Sequence, residues 1–266
     1  MTIGRDKLHF GVASGIVTDI EHPEGHYKVK LKFPWIRDSE AGDDEDFLSN
    51  WARVATQMAG KGRGMVWLPE VGDEVLVSFE KGSLRYPVVI GSLWNKEDVP
   101  PWGDEAPAEV DDPGPGGGSL GISDIAKDNK AQGGKNDARY IKTRHGHALI
   151  FDDGENPKVV LKTASGHTMV LNEKDERLAI YNHNQEQYLE LDAKNKKITL
   201  ESANGDIDIF CKNGTFNVEA KKITMTASTD VEFNADAKMK QESGSTMDMK
   251  AGATMTLKGG PTIKLN

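Results

Sequence analysis

From residue 223 onward, apolar side chains return every eight positions. The stretch divides into ITMTASTD, VEFNADAK, MKQESGST, MDMKAGAT, MTLKGGPT and a shorter IKLN. Position one is Ile223, Val231, Met239, Met247, Met255 and Ile263; position three is Met225, Phe233, Gln241, Met249, Leu257 and Leu265. Position five is small each time: Ala227, Ala235, Ser243, Ala251, Gly259. Residues i and i+2 of a strand share a face, so each unit predicts a short strand with two inward side chains, a polar outer face and a tight corner. That is a β-solenoid pattern. A helix is excluded because positions one and three would fall on nearly opposite sides, and Gly244, Gly252, Gly259 and Gly260 would interrupt it. Collagen and the calcium-binding nonapeptide solenoid fail for want of their glycine patterns.

Two apolar side chains in eight residues cannot offset the entropy of ordering one chain, so other copies must complete the core. Three strands around an axis would direct positions one and three into a narrow apolar column, and the smallest closed solution is a homotrimer. Its expected core residues are Ile223, Met225, Val231, Phe233, Met239, Met247, Met249, Met255 and Leu257.

Upstream the period loosens. Apolar pairs at Leu149/Phe151, Val159/Leu161, Leu178/Ile180, Leu189/Leu191, Ile198/Leu200, Ile207/Ile209 and Phe216/Val218 alternate with turn-rich spacers such as DDGENP and ASGH, and each pair predicts a strand. Residues 10–95 have a different texture. Alternation in GVASGIVTDI, HYKVKLKFPW, NWARVATQM, GDEVLVSFE and PVVIGSLW predicts five strands without a long intervening helix, which suits a small barrel. All five tryptophans (35, 51, 67, 94 and 102) lie there or just beyond, marking the part with a conventional core. Between the halves, Pro100, Pro101, Pro107, Pro113, Pro115 and the run 116–118 of glycine mark a linker. The expected organisation is therefore all-β: a barrel over 1–96, a Pro/Gly-rich acidic linker over 97–140, and an intertwined β-helical spike over 141–266.

Composition narrows the function classes. Only 37% of the 266 residues are hydrophobic, low for a compact globule of that size. Of a net charge of −9, residues 37–46 carry −5 and residues 97–112 carry −7, and both read as solvated loops. Such an acidic chain disfavours nucleic acid as a partner. No signal-peptide core follows MTIGR and no stretch approaches membrane-spanning length, so synthesis and assembly in the cytoplasm are expected. The lone Cys211 permits no intrachain disulfide and suits a small strand side chain.

The strings WARVATQMAGKGRGMVWLPEVGDEVLVSFEKG and PVVIGSLWN resemble the oligonucleotide/oligosaccharide-binding (OB) domain of contractile-tail spike proteins. That family includes phage baseplate assembly protein V and the valine-glycine repeat proteins of type VI secretion. IKTRHGHALIFDDGENPKVVLKTASGHTMVLNE is similar to the segment that opens the family's β-helical spike. The resemblance implies a structural, non-enzymatic trimeric needle mounted on a baseplate hub under a contractile tube, carried in a phage-tail-like particle, and driven through a target envelope when the sheath contracts. The chain opens almost at the barrel, leaves no room for a lysozyme domain at 97–137 and stops after the octads. Those departures point to a separate hub and to a phage-tail or extracellular injection spike. The resemblance also implies a separate cap with a proline-alanine-alanine-arginine motif at the tip, on Ile263, Lys264, Leu265 and Asn266. A bland alternative is that Lys264, Asn266 and the terminal carboxylates cover that end.

No catalytic, cofactor or metal site is expected. His145-Gly-His147 has the spacing of a metal pair on one strand face, but at the strand opening the spike its expected role is turn chemistry. Ser165-Gly-His167 lacks a nucleophile elbow. A triple-β-helical polysaccharide-degrading tail protein would need paired carboxylates and aromatic platforms, yet residues 197–266 hold no Trp or Tyr. An adhesive fibre would be expected to end in a receptor-binding head.

Overall fold

The computed structural model describes residues 8–37, 46–100 and 136–260, and the chain divides into two compact units, 1–207 and 208–266. Among the described residues every regular element is a strand, apart from one 3-10 turn at Glu80–Gly82.

The N-terminal strands are β1 (Val12–Asp19), β2 (Lys28–Arg37), β3 (Asp46–Leu48), β4 (Ala52–Val54), β5 (Ala59–Gly60), β6 (Arg63–Gly64), β7 (Glu74–Phe79) and β8 (Pro87–Ser92). β1 closes the barrel by serving two neighbours. It pairs with β7 over Val12–Ile16 and with β2 from Ile16 to Asp19, with a register slip between Val17 and Asp19. A bulge of this kind bends a strand enough to turn a barrel corner. The closed order is β1-β2-β4-β8-β7, with β4 and β8 parallel, β3 added outside β2, and β5–β6 a separate hairpin. This is the five-stranded OB-like barrel, and each of the five strands expected from alternation is there. β3 and the β5–β6 hairpin were not legible, being only two or three residues long.

Alternation builds the barrel core directly. β7 buries Val75, Val77 and Phe79 and turns Glu74, Leu76 and Ser78 aside. Val17, Val29, Leu31, Phe33, Ile36, Ala52, Leu84 and Val89 complete the interior. At about 1.5–3 kcal/mol for each fully buried large aliphatic or Phe side chain, this cluster is the main source of the barrel's stability. The tryptophans do not form it. Trp35 sits at its edge, donating Nε1–H to the Ser14 carbonyl at 2.9 Å, while Trp67 and Trp94 are exposed. Indole N–H needs a polar partner, which favours the rim over the apolar centre. Trp102 lies outside the described residues.

The same unit continues as a seven-stranded antiparallel meander: β9 (Ala138–Lys142), β10 (Ala148–Asp152), β11 (Lys158–Lys162), β12 (Thr168–Asn172), β13 (Arg177–Tyr181), β14 (Gln187–Asp192) and β15 (Lys197–Ser202). β9 begins inside the stretch expected to be linker. A similarity at a spacing of twenty residues accompanies the hairpins: KTRHGHALIFDD at 142–153 aligns with KTASGHTMVLNE at 162–173. In both turns the Thr N–H donates to the His carbonyl and the Gly N–H to the Thr carbonyl. Gly146 and Gly166 hold φ of +99° and +97°, where L side chains are strained, and a Cβ on Gly166 would stand 3.4 Å from His183.

Between Asp208 and Gly260 no strand forms, and every described residue is exposed. The octad strands, like those expected at Ile207/Ile209 and Phe216/Val218, are therefore absent from the described residues of the single chain. A ladder requires a second row of N–H and C=O groups, and eight-residue units with two apolar side chains supply none of their own.

Candidate functional site

Each face of the meander has its own chemistry. Register pairing places Ile141, Leu149, Leu161, Met169, Ile180, Leu189 and Leu200 in one line across all seven strands. Beside it, Phe151, Val159, Leu171, Leu178, Leu191 and Ile198 form a second line, joined at β9 by Arg139. Phe151, Leu161, Leu171, Ile180, Leu191, Ile198 and Leu200 are all exposed. Two apolar ridges, one crossing all seven strands and the other the six from β10 to β15, form a patch of the kind that marks a protein interface. Five of the apolar pairs expected from the sequence lie in these ridges; Met169/Leu171 on β12 and Ile141 on β9 were not among them.

The opposite face is closed within the chain. Ile150, Val160, Val170 and Ala179 form a buried central row, clustered with Tyr181 and Tyr188. Polar pairs flank it. The Lys158 side chain is fully buried with its Nζ 3.4 Å from Asp152 Oδ2, and Arg177 Nε donates to Glu190 Oε1 at 2.7 Å. Tyr188 O–H donates to Glu201 Oε2 at 2.6 Å.

That hydrogen bond, together with burial, pushes the Tyr188 phenol up to about 12, and burial beside Asp152 pushes Tyr140 up to about 12 as well. The folded sheet thus favours neutral tyrosine. The resulting stability is fully present below the unfolded value near 10 and is lost as pH rises from about 10 to about 12. Thermal unfolding followed by circular dichroism should show Tm falling through that window. Tyr188→Phe should remove part of the alkaline dependence while leaving the neutral-pH spectrum unchanged.

The octad residues expected to face inward are all open to solvent in the single chain, from 46% for Met255 to 67% for Met225. Ile223, Val231, Phe233, Met239, Met247, Met249 and Leu257 fall between those limits. An exposed Met or Leu is ordinary by itself, whereas a periodic series of them is a surface awaiting cover. Ile263, Lys264, Leu265 and Asn266 lie outside the described residues.

His145 and His147 stand with ring centroids 5.3 Å apart in the turn between β9 and β10. His147 Nδ1 accepts the Ala164 N–H at 3.2 Å, which ties this turn to the next one along the edge. His167 and His183 make a similar contact at 5.3 Å. Among the described residues no three His, Cys, Asp or Glu side chains are grouped so as to hold a metal ion, and no helix is long and apolar enough to cross a membrane. On the barrel, Met65, Trp67, Ile90 and Trp94 line a groove of about 790 Å³ that also includes Tyr140 and Ile141 of β9. Sequence alternation did not single out that groove, because its walls come from four separate segments.

Residues 13–94 match the family model of the type VI secretion system/phage-baseplate injector OB domain. Over those residues the barrel resembles the injector OB domain of baseplate and type VI spike proteins. It is 37% identical to the type VI secretion system spike protein VgrG5 of Pseudomonas aeruginosa over 91 residues, 34% of this chain and 11% of that protein. It is 35% identical to VgrG1c of the same organism over 83 residues, 31% of this chain and 11% of the relative. The actin cross-linking toxin VgrG1 of Vibrio cholerae is 31% identical over 94 residues, 33% of this chain and 8% of that protein. The chain thus spans about a tenth of the length of these relatives.

Proposed function

We propose that this chain is the central spike of a contractile injection machine, a phage tail, tailocin or extracellular injection system, acting as a homotrimer rather than as an enzyme. The observation that carries this reading is an injector OB barrel followed, in the same chain, by a meander and octads whose apolar positions lack cover in one copy. A baseplate hub protein would hold the barrel end. The ridges and octads would form the shared interior, with 141–266 as the intertwined spike. A cap of the proline-alanine-alanine-arginine type would sit on residues 263–266. On sheath contraction the assembly would cross the target envelope by mechanical force, which calls for a stiff interior and no catalytic group. The toxin name of the Vibrio cholerae relative does not transfer, because the shared 94 residues are 8% of that protein.

Sedimentation velocity of the purified chain at micromolar concentration should give a trimer that persists in moderate denaturant, since the contacts of the octad core are intermolecular. Electron micrographs of particles that co-purify with the chain should place it beneath a sheathed tube. A folded monomer at that concentration would sink the proposal.

A further inference from the structure

We propose that neighbouring copies of this chain dock edge to edge along the meander, all in the same orientation, with the histidine-bearing turns of one copy against the acidic turns of the next. The inference rests on the trimer proposed above and adds the polarity and the residues of the seam. In a meander the turns alternate between two edges. One edge carries the turns at 143–147, 163–167 and 182–187, and the other carries those at 152–158, 172–177 and 192–197.

The two edges differ in chemistry level by level. The first edge presents Arg144, His145 and His147, then His167, all exposed. The second edge presents Asp153 and Glu155, then Glu173 and Glu176, also exposed, with Lys174 as the one exposed cation of those two turns, Lys158 being buried and Arg177 half-buried. Farther along, both edges change sign. The turn at 192–197 brings Lys194, Lys196 and Lys197, while the first edge brings Glu186 beside His183 and then Asp206, just past the turn at Gly205. His147 accepts at Nδ1, so its neutral tautomer keeps a donor at Nε2 for a neighbour's carboxylate. In-chain partners do not use these groups up. Arg144 pairs with Glu70 at 2.9 Å and Asp153 with Arg139 at 2.7 Å, both in solvent, where such pairs are weak and exchangeable.

Geometry selects the orientation. The apolar face is two side chains wide over the six strands β10–β15, about 7 Å between ridges at a rise of roughly 3.4 Å per residue, and one ridge continues onto β9. A second copy supplies a strip of the same length and period. Rotation about the direction in which the strands stack brings unlike edges together; the contact is heterologous, and it closes into a three-membered ring when neighbours are related by a third of a turn. Turning a copy end over end about the normal to its apolar face would instead set acidic turns against acidic turns. The turns of the two edges are staggered by one strand spacing, about 4.8 Å, so the 163–167 turn fits between the neighbour's 152–158 and 172–177 turns.

The test uses the full chain with Cys211→Ser, adding Glu155→Cys, Ser165→Cys or both, and a short bismaleimide cross-linker. Both new positions are exposed and lie outside the strands. The double variant should give covalent trimers on a denaturing gel, and neither single variant should cross-link. Dimers from a single variant would overturn the parallel seam, as would an uncross-linked double variant that still sediments as a trimer. In that last outcome the trimer itself stands; a monomer on sedimentation would overturn both. As a second arm, Glu155→Lys with Glu173→Lys should slow assembly at least tenfold at low salt. Adding Arg144→Glu and His167→Glu should restore it. A rate unchanged by the acidic-edge reversal would count against the seam.

Discussion

A chain carrying Met247→Asp should fail to assemble, although its barrel remains folded. Met247 occupies position one of its octad, and in a threefold column it would meet its two symmetry mates. Three carboxylates around one axis would lose hydration without gaining a cation. On general grounds an uncompensated buried charge costs about 3–5 kcal/mol, incurred here once per chain. The outward neighbour provides the control. Asp248→Asn changes charge on a polar face and should shift stability by about 0.5 kcal/mol or less. Sedimentation and the midpoint of thermal unfolding, recorded for both variants, check the result. If Met247→Asp trimerises with an unchanged midpoint, position one does not face the axis.

Deleting residues 239–246 and deleting Met239 alone should have opposite outcomes, even though the larger deletion removes more chain. Loss of one whole octad keeps every remaining apolar residue on its own face and yields a shorter assembly. Loss of one residue inverts the alternation for everything between the deletion and the next corner, sending polar side chains inward and Met or Leu outward. The octad deletion should retain the trimer with a modest fall in midpoint. The single deletion should cost most of the stability of the octad region and expose it to protease. Limited proteolysis of the two variants side by side distinguishes them, and equal behaviour would mean that eight residues are not the repeating unit.

Much of the barrel could be read locally. In the segment EVLVSF every second residue is apolar and buried, because a pleated strand with one face on a core leaves no other arrangement. The placing of tryptophan was not local. Bulk and hydropathy point Trp67 and Trp94 toward a core, yet the barrel interior is filled by Phe33, Leu31 and a set of valines, and the indoles stand outside. What a five-stranded barrel can hold is set by its radius, a property of closure that no single segment carries. The meander divides in a similar way. Five of its seven strands follow from apolar pairs and turn spacers, β9 and β12 having been missed, and the same pairs do not reveal that Ile150, Val160, Val170 and Ala179 would be buried within one chain while the larger Leu and Phe side chains remain open.

The sequence by itself determined that the protein is built of strands, where its barrel strands lie, and that the octads repeat with period eight. These are consequences of side-chain alternation and turn chemistry acting over a few residues. Only the tertiary structure decided which face of the meander is covered and which is left open, because each position's fate depends on the residue paired with it a strand away. It also brought the histidine turns to one edge and the acidic turns to the other. The reason is topological: in an antiparallel meander successive turns alternate sides, so residues about twenty apart become neighbours, and charges ten apart in sequence end on opposite edges.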